Sequence, residues 1–199
     1  MRVGNRCVAM LMTALLLSGC GGVSREQRVE ELTERLRAME ACTVQAEISC
    51  ILSSEEVQSY ELRCDYEPEG ACAVTVLRPE SLAGITAELD GERVSLVYDG
   101  LCLPTGLRTQ ELCAVDALPR FLDALRCGYL SEYSVEQVEE TECYRLCFSA
   151  DGAEERFCTA WLRSEDGAIL WGEIEENGQL LLRLEFTEES SRAIIPDRE

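Results

Sequence analysis

Residues 57–77 read VQSYELRCDYEPEGACAVTVL, two runs of alternating apolar and polar residues around Glu67-Pro68-Glu69-Gly70. Alternation at a period of two marks strands with one buried face, and a Pro-Gly turn between two of them makes an antiparallel hairpin. A symmetric register sets Tyr60 opposite Val76, Leu62 opposite Val74 and Cys64 opposite Cys72, all on one face. A Cys64–Cys72 disulfide agrees with that pattern, and closing its loop is worth about 2.5 kcal/mol. The same period runs upstream, where Val44, Ala46, Ile48 and Cys50 alternate with Thr43, Gln45, Glu47 and Ser49.

Downstream, Ile85–Leu89 and Arg93–Tyr98 form a hairpin about Asp90-Gly91, and Tyr98-Asp99-Gly100-Leu101 makes another turn. The stretch from Leu103 to Leu112 reads as loop. Strands return at Thr141–Ser149, Arg156–Arg163, Ile169–Glu175 and Gln179–Thr187, the last two joined by Asn177-Gly178. In that final hairpin Ile169 and Trp171 are expected to share a face with Leu182, Leu184 and Phe186. Two segments carry helical spacing instead. Ser24 and Gln27 form a capping box that opens a helix with the stripe Val29, Leu32, Leu36 and Met39. Asp116 caps a second helix, with Pro119 in its first turn, the stripe Leu118, Phe121, Leu122 and Leu125, and Gly128 as its stop. The polar tail, residues 188–199, is expected to fray. No linker interrupts residues 24–187. They read as one α+β domain, a half-barrel of about 9–10 antiparallel strands covered by an N-terminal helix and a mid-chain helix.

The chain has 199 residues, 18 basic and 38 acidic, with a formal charge of −20; every basic residue is Arg, and Lys and His are absent. Without His there is no Ser-His-Asp or Cys-His catalysis and no imidazole ligand. Without Lys there is no Schiff base and no P-loop lysine. The acidity argues against nucleic acid as a partner. Carboxylates occur throughout, but none at a spacing that fixes an acid–base pair. The chain reads as a non-enzyme with no catalytic residue and no cofactor.

Residues 1–19 combine Arg2 and Arg6 with an apolar run from Val8 to Leu17, which is too short to span a bilayer and reads as a signal peptide. Its end, Leu17-Ser18-Gly19-Cys20, resembles the lipobox of bacterial lipoproteins, which implies lipidation of Cys20. Residues 20–23 then form the anchor and a short tether of about 10–11 Å. Loss of Arg2 and Arg6 takes the charge to −22. Such a body is repelled by anionic lipid, so the acyl chains supply the membrane affinity.

Ten of the twelve cysteines lie beyond Cys20. An even number in an exported chain reads as a set of disulfides. Besides Cys64–Cys72, Cys147 and Cys158 flank the Asp151-Gly152 turn, and Cys102 and Cys113 are near in sequence. A metal site is disfavoured, because no C-x-x-C occurs and Cys143-x-x-x-Cys147 has no His companion. Acidic surroundings raise a thiol pKa, which disfavours a reactive cysteine.

Three segments carry a likeness to a known family. They are Val57-Gln58-Ser59-Tyr60 leading into Pro79-Glu80-Ser81-Leu82-Ala83-Gly84-Ile85, then Leu96-Val97-Tyr98-Asp99-Gly100, then Ala117-Leu118-Pro119 through Gly128-Tyr129. With the lipobox, their order resembles the LolA-like lipoprotein-carrier family, and within it the lipid-anchored clostridial type that includes the germination lipoprotein GerS. The resemblance implies a curved sheet over helices enclosing an apolar cavity. In the carrier branch that cavity holds acyl chains, and in the germination branch the domain supports a cell-wall amidase.

Two functions follow as expectations. The first is an anchored extracytoplasmic protein that binds an acyl chain or lipoprotein lipid on its concave face. The sheet would supply Tyr60, Leu62, Val74, Val76, Trp171, Leu184 and Phe186 to the lining, and the helix Leu118, Phe121, Leu122 and Leu125. The second is a scaffold lipoprotein that localises a basic envelope protein through its acidic surface. Both require the anchor. Replacing Cys20 (Cys20→Ser) is expected to move the protein from the detergent phase to the aqueous phase on Triton X-114 partition; a variant that stays in the detergent phase with the wild type contradicts the anchor.

Overall fold

The computed structural model describes residues 24–53, 56–108, 112–149 and 156–195. The signal-like segment, Cys20, the tether and the Asp151-Gly152 turn lie outside the described residues. Helix α1 (Arg25–Arg37) leads into six strands: β1 (Cys42–Ile51), β2 (Val57–Tyr66), β3 (Cys72–Arg78), β4 (Thr86–Asp90), β5 (Arg93–Tyr98) and β6 (Leu101–Leu107). Helix α2 (Ala114–Cys127) follows. Then come β7 (Tyr129–Val138), β8 (Thr141–Ser149), β9 (Arg156–Arg163), β10 (Ile169–Glu176), β11 (Gln179–Phe186) and helix α3 (Glu188–Ile194).

The strands form one antiparallel sheet in the order β6-β5-β4-β3-β2-β1-β11-β10-β9-β8-β7. The first meander runs from the centre to one edge, and the second runs from the other edge back to the centre. Helix α2 is the link between the two edges. Its residues Asp116, Ala117, Leu118 and Pro119 are all buried, although successive positions point in different directions round a helix. A helix laid on a flat sheet buries one stripe. Here the sheet curls around α2, and α1 packs on it from another side.

Helix α1 starts with the expected capping box: the Ser24 hydroxyl accepts from the Gln27 N–H at 3.2 Å, and the Gln27 side chain accepts from the Ser24 N–H at 3.0 Å. Its stripe Val29, Leu32 and Leu36 is buried, and so is Met39, just past the end of the helix. Arg28 and Arg35 donate to the carbonyls of Ser164 and Asp166, both at 3.2 Å, and so tie the helix to the β9–β10 turn.

Several local expectations are corrected. The β2–β3 ladder sets Leu62 opposite Val76 and Cys64 opposite Val74, two residues from the symmetric register. The cause is a turn centred on Glu69, whose φ is 61°. A shift of two preserves the faces, so the same residues point inward. The stretch after Tyr98 continues as edge strand β6, where Pro104 is tolerated because an edge needs fewer donors. Residues 129–138, unassigned by pattern, form the opposite edge. Asp116 lies inside α2, and Cys113 holds the N-cap. The tail continues as α3, with Ser190, Ser191, Ile194 and Ile195 buried. The Ser190 hydroxyl accepts from the Gln45 N–H at 2.7 Å, and the Ser191 hydroxyl donates to the Ile169 carbonyl.

Two glycines are required by space. Gly128 has φ −67°, an ordinary value, but a Cβ there would lie 2.8 Å from the Ser149 carbonyl oxygen and collide with that of Ala124. A Cβ on Gly172 would collide with the Phe121 ring. Replacing Gly172 (Gly172→Ala) is therefore expected to cost about 1–3 kcal/mol of stability through overpacking. Urea unfolding measures it, and an unchanged midpoint would show that Phe121 has room to move.

Candidate functional site

A groove of about 750 Å³ opens where the β2–β3 and β4–β5 turns meet the second half of α2 and the start of β9. The turns contribute Glu67, Glu69, Asp90 and Glu92, and α2 contributes Arg120, Asp123 and Arg126. Arg108 follows β6, and Arg156 begins β9. Buried Leu89, Pro119, Ala124, Cys158 and Ile174 supply its apolar part.

Charge in this groove is layered by depth. The Arg156, Arg126, Arg120 and Arg108 side chains are 12%, 17%, 20% and 21% exposed, whereas that of Glu69 is 83% exposed. Glu67, Asp90 and Glu92 are exposed too. Asp116 is buried between two guanidinium groups, 2.7 Å from Arg108 Nε and 3.3 Å from Arg120 Nη2. Arg156 Nε donates to Glu176 at 3.1 Å, and Arg126 Nη1 and Nη2 donate to Glu69 Oε1 at 3.4 and 3.3 Å. The Tyr66 hydroxyl donates to Asp123 at 2.7 Å. Burial, reinforced by Asp123, pushes the Tyr66 pKa up, so this hydroxyl stays a donor. The pattern reading found none of these groups as a site. One signal was available, the Asp116–Arg120 spacing of four on a helix.

The residues expected to line an acyl cavity separate into three places. Leu62, Val74, Leu118, Phe121, Leu122, Leu125 and Leu184 are at 0% exposure, and Val76 is buried with them in the core. Phe121 and Phe186 pack with ring centroids 5.7 Å apart. Tyr60 is half-buried at the margin of this core. Trp171 points to the other face of the sheet. A register shift between Ile169 and Trp171 inserts one residue, so Ile169 points inward and Trp171 stacks on Trp161 outside, at 5.4 Å. Trp161 Nε1 donates to Glu136 at 3.0 Å, and the Arg145 guanidinium lies 5.7 Å from the Trp161 ring.

Apolar surface emerges at the sheet's other end. On β5 and β6, Tyr98 pairs with Leu101 and Leu96 with Leu103, in line with buried Ala87 and Leu89 of β4. The core face thus runs outward onto Tyr98, Leu101 and Leu103, which are 56%, 75% and 64% exposed.

All ten described cysteines are thiols, so none of the three expected pairs is formed. Cys64 opposes Val74, with Cys72 its diagonal neighbour. Cys147 pairs with Thr159 and Phe148 with Cys158, which places Cys147 and Cys158 on opposite faces. Cys102 sits on the outer face of β6, while Cys113 lies close enough to Cys50 to raise its pKa after burial does. Among the described residues no three potential ligands converge on a metal position. Burial, more than acidity, suppresses the thiolates: Cys42 is pushed up to about 11 and Cys158 to about 12.

The sign of the pH dependence follows. Above the ordinary thiol value of 9.0 the unfolded chain releases protons that folded Cys42 and Cys158 retain. The thiol contribution to stability should therefore be level near neutral pH, then fall as the pH rises through 9 toward 12. Urea midpoints of the reduced protein measure this, and a midpoint level to pH 11 contradicts the burial of these thiols.

No family model and no curated protein sequence matches this chain. Solved structures do. A LolA superfamily protein from Nitrosomonas europaea is similar at 12% identity and a TM-score of 0.48, over 83% of this chain and 92% of that one. LprF from Mycobacterium bovis is similar at 10% identity and a TM-score of 0.46, over 84% and 94% of the two chains. A chain in the structure of the CwlD amidase from Clostridioides difficile in complex with the GerS lipoprotein is similar at 13% identity and a TM-score of 0.38, over 83% and 95%. At these identities the likeness is one of fold.

Proposed function

We propose that this chain is an extracytoplasmic docking protein, anchored to the membrane through lipidated Cys20, that holds a basic envelope protein. The observation that carries the reading is the exposed continuation of the core face on Tyr98, Leu101 and Leu103. Contiguous exposed apolar side chains on a soluble domain are a mark of an interaction surface. The charge of −22 left after loss of Arg2 and Arg6 adds attraction for a basic surface and repulsion between copies of this chain. Helix α2 favours docking over cavity binding, because it fills the concave face with its own Leu118, Phe121, Leu122 and Leu125.

The acyl-binding reading retains support from the same exposed strip, which offers an apolar bed beside the filled core. One experiment separates the two. Lipidated wild type and the double variant L101S/L103S are used as baits with detergent-solubilised envelope, and the wild-type bait is also extracted for lipid mass spectrometry. Docking predicts a basic protein retained by the wild type, released by salt and lost from the variant. A bait-only eluate, or equal retention by the variant, contradicts docking. Stoichiometric lipid in the extract would favour the acyl reading.

A further inference from the structure

We infer that the groove beside α2 is a second binding site, which takes an anionic group, phosphate or carboxylate, on Arg126 and Arg108. It is separate from the docking surface on β5 and β6. The first observation is an imbalance of burial within one ion pair. Arg126 is 17% exposed, but the carboxylate it reaches, Glu69, is 83% exposed on a turn. A pair with one partner so fully in water contributes little, so another anion displaces Glu69 at small cost. The second observation is independent of the first. Arg126 Nε and Arg108 Nη2 are buried donors without an acceptor among the described residues. Buried polar groups in folded proteins are nearly always satisfied, by protein, water or a bound ion, and these two flank the same groove.

Placement of charge supports the assignment. The chain carries about two acidic residues for each basic one, yet four guanidinium groups surround this groove. Arg108 and Arg120 share buried Asp116, and Arg156 holds Glu176. The attraction for an anion therefore comes from Arg126 and from the Nη2 of Arg108, at 17% and 21% exposure, where it is stronger than in water. Glu67, Glu69, Asp90 and Glu92 lie at the rim in water, where salt screens them. Planar guanidinium groups match carboxylate and phosphate oxygens with paired hydrogen bonds. Beyond them Leu89, Pro119 and Ile174 give the body of the ligand an apolar surface.

Calorimetric titration of the full lipidated chain in dodecyl maltoside tests this with two probes, inorganic phosphate and hexyl phosphate. Saturable binding is expected, weakened about tenfold or more in R126Q. In E69Q the competing carboxylate is gone, and binding should tighten severalfold; this arm stands even if R126Q folds poorly. R183Q, whose guanidinium pairs with Glu173 away from the groove, should bind as the wild type does. Tighter binding of hexyl phosphate would assign the anion to an amphiphile's headgroup, and equal binding to a free anion. No saturable binding of either probe, or wild-type affinity in both R126Q and E69Q, overturns the site.

Discussion

The Phe121 ring lies against the bare backbone of Gly172, with the Phe186 ring beside it at 5.7 Å, and the rest of the molecule is arranged around this contact. Helix α2 has to carry the chain from edge strand β6 to edge strand β7. The concave side of a curled sheet is the direct route. Taking it places a helix inside the sheet, where its largest side chain needs a strand position without a Cβ. Gly172 provides that position. Gly128, pressed against the Ser149 carbonyl, lets the chain leave the helix and enter β7 at once.

A plugged concave face has consequences for function. Apolar side chains that would otherwise line a cavity are spent on packing, and the two surfaces proposed for binding lie where the helix does not reach. One such place is the β5–β6 end, where the core face emerges on Tyr98, Leu101 and Leu103. The other is the groove at the turn end, where α2 presents Arg120, Asp123 and Arg126. The two differ in chemistry as well as in position. The first is apolar, and the second is a set of mostly buried guanidinium groups behind a carboxylate rim.

The central strands were legible in the sequence because each has partners on both sides and one face on the core, conditions that enforce alternation. Both strands that pattern reading missed, β6 and β7, are the sheet's edges. Every residue of β6 is exposed, so burial had no periodic signal to write into it. Trp171 was misplaced for a different reason: one inserted residue before it flips the face, and hydrophobicity does not reveal a bulge. The tail looked free because its buried members include Ser190 and Ser191, whose burial is satisfied by hydrogen bonds to Gln45 and Ile169. The arginine groove was the least legible feature. Its walls come from two turns, a helix and strand ends far apart in the chain, and only folding brings them together.

Native-state hydrogen exchange on the backbone of α2 tests the central claim, that this helix is a fixed plug of the sheet. Buried on nearly all sides, the amides of Phe121, Leu122 and Leu125 should exchange only through global unfolding, as slowly as those of Val44 and Ile48 in β1. Exchange of α2 well ahead of β1 would mean that the helix lifts while the sheet persists, and that the concave face is a cavity after all.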